Sequence, residues 1–130
     1  MTDLKRITQT LEKNSVSTFM TTLFEVLNAA KKVHLQAKNK SYAEHMALAA
    51  FYDNFEDQMD TFIETYYGKF GVKDFTIAGC DCKDFLPFIK NRISYFEASY
   101  DLFKDGFLVN QLDAIIQESY HLIYKLENLK

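Results

Sequence analysis

Apolar residues recur at steps of three and four along four long segments of the chain, and this spacing constrains the fold more than any other feature of the sequence. Such spacing places apolar side chains on one face of an amphipathic helix. In the first segment the apolar positions are Val16, Phe19, Met20, Leu23, Val26, Leu27, Ala30 and Val33. They predict a first helix over about residues 15–37.

A capping pattern marks the start of the second helix. Ser41 and Glu44 form the S-x-x-E capping box, in which each side chain can bond to a free backbone N–H, so the helix is predicted to begin at Tyr42. Its apolar positions are Leu48, Phe51, Tyr52, Phe55, Met59, Phe62, Ile63 and Tyr66. Gly68 stands where a C-terminal cap is expected, which gives a helix over about residues 42–67.

Two further helices are predicted at about residues 84–104 and 107–129. Asp84 can cap the third, and Pro87 falls in its first turn, where a missing N–H costs little. The apolar positions are Phe85, Phe88, Ile89, Ile93, Phe96, Tyr100 and Phe103 in the third helix and Leu108, Leu112, Ile115, Ile116, Leu122, Ile123 and Leu126 in the fourth. The segment before Asp84 holds three of the four glycines, so it reads as a connection, and its apolar residues predict that it packs on a surface.

Four long helices with a short first, a longer second and a tight third connection predict an all-α fold, an antiparallel four-helix bundle forming one domain over residues 1–130. The apolar content of 48% is sufficient for a core in a chain of 130 residues. Bundles of this kind often hold metals between facing helices.

The charge pattern excludes several partners. With 15 basic and 18 acidic residues interspersed and a net charge of −3, the chain is not expected to bind nucleic acid strongly.

No apolar run approaches the roughly 20 residues that span a bilayer, so we expect no membrane contact and a cytoplasmic location. Cys80 and Cys82 are too close in sequence for an unstrained disulfide, and we expect reduced thiols, although a CxC pair could bind a soft metal if another chain supplied ligands.

Possible metal ligands line one edge of the second helix. At about 100° per residue, six positions fall within an arc of about 100° beside the aromatic face, pointing to water or to a partner subunit. They are His45, Ala49, Asp53, Glu56, Asp60 and Glu64. From Asp53 to Glu64 there are five acids and no base. This edge is either an ordinary charged surface or a site that lacks its cation.

The other two histidines have simpler explanations available. His34 falls in the last turn of the first helix, where a cationic imidazole would interact favourably with the helix dipole. This interaction is an alternative explanation to a role as a metal ligand. His121, on the fourth helix, is interpreted as a packing or surface residue. No phosphate-binding glycine loop and no hydrolase-like arrangement is visible, so no catalytic residue is nominated.

The order HLQAKNKSYAEH followed by DTFIE resembles the Dps mini-ferritins, in which a histidine ends helix one, a second opens helix two, and D-x-x-x-E follows. The matching positions are His34, His45, Asp60 and Glu64. The resemblance, which extends to the layout of the later helices, implies a ferritin-like fold and a homo-oligomer. It also implies an Fe site, and possible ferroxidase activity, where two histidines of one subunit meet the Asp and Glu of a two-fold partner. Asp53 and Glu56 would be auxiliary ligands.

The sequence also departs from the Dps pattern, which keeps a second interpretation open. Ala49 stands where these proteins usually carry an aspartate, Leu35 where they carry a tryptophan and Asn39 where they carry a glycine, and the gap between the histidines is one residue shorter. The alternative is a non-enzymatic ferritin-like structural or interaction protein with a degenerate metal site. Compact Dps-like chains of this appearance are associated with bacteriophage genomes, which would place the protein in the cytoplasm of a bacterial host.

Overall fold

The computed structural model describes residues 3–36, 41–77, 79 and 82–129, with side chains from Ser15 onward. Within these ranges the chain is helical and contains no strand. The helices are α1 (Asp3–Gln36), α2 (Tyr42–Phe70), α3 (Phe85–Ala98) and α4 (Gly106–Asn128), with a short 3-10 helix at Tyr100–Leu102. The predicted all-α class and the four helices are confirmed. A search of the same ranges finds no helix with the length and apolar character needed to cross a membrane.

Three helix ends differ from the predicted bounds by more than one residue, one each in α1, α2 and α3. α1 begins at Asp3, well before residue 15, because DLKRITQTLEKN contains no proline or glycine and is rich in good helix formers, although its apolar pattern is sparse. α2 continues through Gly68 to Phe70. The residue that ends it is Gly71, which has φ of 88°, a value that favours glycine, and whose N–H donates to the Tyr67 carbonyl at 2.9 Å.

The predicted N-terminal caps have different outcomes. At the start of α2 the Ser41 hydroxyl accepts from the Glu44 N–H at 3.1 Å, so the serine half of the capping box is confirmed. Asp84 precedes α3 as predicted, but its side chain makes no capping hydrogen bond. α3 is also shorter than predicted, because the chain tightens into the 3-10 helix after Ser99.

The core is built mainly from the predicted apolar faces, and aromatic rings lie at its centre. The predicted positions that are only partly buried are Val33, Tyr52, Phe88, Tyr100, Ile123 and Leu126. Phe19 of α1 is fully buried, and its ring centroid lies 5.2 Å from that of Phe62, 5.7 Å from Phe96 and 4.9 Å from Phe103. The other large, fully buried side chains are Phe51, Phe55, Met20, Leu23, Leu48, Met59, Ile89, Ile93 and Leu108. Phe19 therefore connects α1 to α2 and to the end of α3 at the centre of the protein.

Each helix packs on two others: α1 and α4 both contact α2 and α3. Within each neighbouring pair, residues early in one helix meet residues late in the other. The contacts that show this are Phe19–Phe62 and His34–His45 for α1 and α2, Asn54–Glu118 and Lys69–Asp105 for α2 and α4, Lys90–Glu127 and Glu97–Tyr120 for α3 and α4, and Phe19–Phe96 and Glu25–Arg92 for α1 and α3.

The connection between α2 and α3 packs along the outside of α1, as its apolar residues predicted. The Ser17 hydroxyl donates to the Asp74 carbonyl at 3.0 Å, and the Thr21 hydroxyl donates to the Thr76 carbonyl at 2.7 Å. The Phe75 ring lies 5.5 Å from that of Phe24. Near the end of the connection, Cys82 is a free, partly buried thiol, whereas Cys80 lies outside the described residues.

Candidate metal centre

The two histidines of the Dps-like pattern are brought together where α1 ends and α2 begins. Their rings stack with centroids 4.0 Å apart and an interplanar angle of 24°. His34 Nδ1 lies 3.0 Å from the backbone carbonyl oxygen of His45. Because a carbonyl oxygen can only accept, Nδ1 carries a proton, and in the neutral imidazole Nε2 is left with a free lone pair. This is the tautomer and anchoring that metal-binding histidines commonly show.

A third ring helps to fix the orientation of the pair. The Tyr52 ring meets the His34 ring edge to face, with centroids 5.2 Å apart and an angle of 75°. Both histidines are partly buried, so each ring keeps access to solvent or to a partner. The Nδ1–H of His34 bonds to the neighbouring helix, which argues against the alternative in which this histidine only complements the end of its own helix.

The predicted acidic ligands lie outside the core, as the helical wheel indicated. Asp53, Asp60 and Glu64 are exposed, and Glu56 is partly buried. Asp60 follows His45 by 15 residues on one continuous helix, which separates the two by about 22 Å along its axis. One chain therefore cannot bring the histidines and the Asp60 end of α2 to the same ion.

Consistent with this separation, the described residues of a single chain contain no group of three or more His, Cys, Asp or Glu side chains able to hold a metal. A site that uses both ends of α2 has to be completed by a second chain. The histidines and the acids each fit such a site chemically, because imidazole nitrogen and carboxylate oxygen are both good ligands for Fe(II).

Negative charge accumulates at the Asp60 end of α2. Desolvation raises the pKa of Asp60, and the neighbouring charges of Glu56, Glu64 and Asp57 raise it further. A raised pKa means that the ionised carboxylate is disfavoured in the free chain. A bound cation would remove this penalty, so the electrostatics of this edge favour a cation.

Sequence reasoning overlooked one base beside the acidic edge. Lys31 of α1 places its Nζ 3.5 Å from Glu56 Oε2 and 5.5 Å from the centroid of the Tyr52 ring. The five acids from Asp53 to Glu64 have no basic residue among them on α2, because the lysine that pairs with Glu56 belongs to α1. The signal was available in the spacing, because Lys31 precedes His34 by three residues and so shares its face of α1.

The remaining predicted positions lie where the sequence placed them. Ala49 occurs between His45 and Asp53 on the same edge and offers only a methyl group. His121 is exposed on α4. Around the histidine pair, three apolar side chains are exposed: Leu35, Tyr42 and Met46.

Replacing Asp60 with asparagine is expected to raise the melting temperature of the metal-free protein at pH 7. Folding raises the pKa of this carboxyl, so the ionised side chain destabilises the folded protein at pH values above the folded pKa. The penalty decreases as the pH falls through the folded pKa, and it is absent below the unfolded pKa. The gain should therefore vanish near pH 3. Circular dichroism melting curves at both pH values measure it.

The matched control for this change is Glu127→Gln, which removes an acid that is paired with Lys90 at 2.7 Å. That variant should melt at or below the temperature of the parent at pH 7. If Asp60→Asn also lowers the melting temperature, the repulsion inferred at this edge of α2 is wrong.

The fold and the site together define a small, all-helical protein with a stacked histidine pair at the start of α2 and an acidic edge farther along the same helix. A family model matches residues 34–126, and its description is a family of unknown function, DUF5856. Because the match covers well over half of the 130 residues, the chain belongs to this family. The matched region contains both histidines and every acidic candidate. No curated protein and no solved structure matches the chain.

Proposed function

We propose that the protein is a ferritin-like, Dps-type iron-binding protein whose site forms between two chains. His34 and His45 of one chain supply nitrogen ligands, and Asp60 and Glu64 of a two-fold partner supply carboxylates. The observation that carries the proposal is the histidine pair, in which the bond from His34 Nδ1 to the His45 carbonyl leaves Nε2 available to a metal.

The order of helix contacts supports the ferritin-like part of the proposal. Early residues meet late residues in all four neighbouring helix pairs, and the connection between α2 and α3 runs along α1. An antiparallel bundle with a crossover after its second helix gives this pattern, and ferritin-like bundles have one such long connection.

A two-fold arrangement accounts for the separation of the ligands. If α2 packs antiparallel on its copy with the axis near Asp53, then His45 of each chain comes level with Asp60 of the other, because the axis lies midway between them in sequence. Asp53 and Glu56 then lie close to the axis and close to their own copies. Like charges gathered in this way need a cation, which agrees with an auxiliary role for both.

Fe(II) is the metal that the resemblance implies, and it suits a mixed set of imidazoles and carboxylates. In the Dps proteins Fe(II) is oxidised by peroxide or oxygen, so a ferroxidase reaction is the corresponding activity here. Ala49 takes the place of an aspartate in that pattern, so binding of iron is the primary proposal and its oxidation the secondary one.

Replacing His45 with alanine is expected to weaken Fe(II) binding by roughly a hundredfold, because one of two nitrogen ligands and the ring that stacks on His34 are both lost. Anaerobic titration of the purified protein with Fe(II), followed by calorimetry, measures the change. His121→Ala is the matched control, since this exposed histidine lies on α4, outside the site, and its loss should leave the affinity unchanged.

The proposal is rejected if the parent protein shows no saturable Fe(II) binding and His45→Ala changes nothing. Measurement of the mass in solution adds an independent requirement, because an inter-subunit site demands at least a dimer. A monomer at micromolar concentration, in the presence of Fe(II), would also be incompatible with the proposal.

A second candidate is a non-enzymatic interaction protein that keeps the fold without the metal. The observation that favours it is the exposure of apolar side chains beside the histidines, 75% for Leu35, 76% for Tyr42 and 47% for Met46. Neighbouring exposed apolar residues of this size often mark a protein contact surface. An oligomer that forms without binding Fe(II) would favour this candidate.

A further inference from the structure

Lys31 is a charged group beside the candidate site to which the proposed function gives no role. Its ammonium lies between Glu56, at 3.5 Å, and the face of Tyr52, at 5.5 Å. The Tyr52 ring in turn contacts His34, which stacks on His45. A positively charged group therefore already lies between the histidine cluster and the acidic edge of α2.

We propose that Lys31 serves as an internal counter-ion that holds Glu56 in the free chain and must release it when a metal binds, so that this lysine sets the metal affinity of the site. The inference rests on the proposed function and deepens it. It assigns Lys31 a positioning role and Glu56 the role of a ligand that becomes available on metal binding.

The geometry of the ion pair makes such an exchange feasible. The lysine and glutamate side chains are 45% and 43% exposed, and their closest approach of 3.5 Å is long for a charge-assisted hydrogen bond. An exposed pair of this kind is weak, because water screens the charges and two flexible side chains must be held in place. A divalent ion close to the histidines would repel the ammonium and attract the carboxylate.

Within one chain Glu56 is paired with Lys31, and it follows His45 by 11 residues, about 16 Å along the axis of α2. The described side chains contain no cluster of three potential ligands. In the proposed two-fold arrangement Glu56 lies nearer the histidines of the partner chain, so its release would add a carboxylate to a site that Ala49 leaves short of one.

The test uses Co(II), which shares the ligand preferences of Fe(II) but is stable in air, with binding followed by its visible absorption. Lys31→Met should bind Co(II) about fivefold more tightly than the parent, because a nearby positive charge is removed and Glu56 is released. Lys31→Arg keeps the charge and should bind like the parent. Melting curves show that each variant is folded.

The matched control is Lys69→Met. Lys69 is 48% exposed, is paired with Asp105 and lies over the rings of Phe70 and Phe107, but it is in the last turn of α2, five residues beyond Glu64, and its salt bridge is not with a proposed ligand. This variant should bind Co(II) like the parent. A gain equal to that of Lys31→Met would mean that net charge alone is responsible, and would overturn the inference.

A further variant tests the role of Glu56. In a Glu56→Gln background, Lys31→Met should increase the affinity less than it does in the parent, because the repulsion by the ammonium is relieved but no carboxylate is released. An undiminished gain in this background contradicts the inference. If all variants and the parent fail to bind Co(II), the proposed function is rejected and the inference with it, whereas binding that Lys31→Met leaves unchanged rejects the inference alone.

Discussion

Replacing Phe19 with alanine is expected to lower the free energy of unfolding by about 3–5 kcal/mol. The side chain is fully buried, and its ring contacts those of Phe62, Phe96 and Phe103, so truncation leaves a cavity shared by three elements of the fold. Domains of this size are stable by only about 5–15 kcal/mol, so the loss is a large share of the total. Chemical denaturation followed by circular dichroism measures it.

Phe107→Ala provides the comparison, because it removes the same side chain from a position that is 46% exposed. That change should cost less than about 1 kcal/mol. Similar losses for the two variants would show that Phe19 is not at the centre of the core. A loss below about 1 kcal/mol for Phe19→Ala would have the same meaning.

The second large effect is expected in a complementation experiment between two inactive chains. A chain with His34→Ala and His45→Ala, and a chain with Asp60→Asn and Glu64→Gln, should each lose saturable Fe(II) binding. When the two are co-expressed with different tags and the mixed dimer is purified, binding should return at half the number of sites of the parent dimer. One of its two sites then combines intact histidines from one chain with intact acids from the other.

The result separates an inter-subunit site from one formed within a chain, because a site within one chain cannot be restored by a partner that lacks the other half. Dimers made from either chain alone are the negative controls. Formation of the mixed dimer without any recovery of Fe(II) binding would contradict the proposed arrangement. Fe(II) binding by either doubly substituted chain alone would contradict it as well.

Much of the fold could be predicted from the sequence because a helix with one buried face has apolar residues at regular steps of three and four. The Ser41 cap predicted the start of α2, and the predicted apolar faces became the core. The burial of small residues such as Ala29, Ala47 and Ser119 could not be predicted in this way, because alanine and serine are also common on exposed helix faces. The extension of α1 to Asp3 was missed for a related reason, since its sequence favours a helix without a continuous apolar face.

The candidate site was predicted only in part. The resemblance to the Dps proteins implied that His34 and His45 belong to one site, and the helical wheel placed Asp60 and Glu64 outside the core. The bond from His34 to the His45 carbonyl could not be predicted, because it depends on how two helix ends meet. The pairing of Lys31 with Glu56 depends in the same way on the side-by-side packing of α1 and α2.

The sequence by itself determined which residues form helices and which side of each helix is buried, because both follow from the order of neighbouring residues along one chain. Only the tertiary structure decided which groups from different helices lie within a few ångströms of each other, such as the stacked imidazoles and the ammonium beside Glu56. Those distances depend on the rotation and offset of packed helices, and these are set by the whole core.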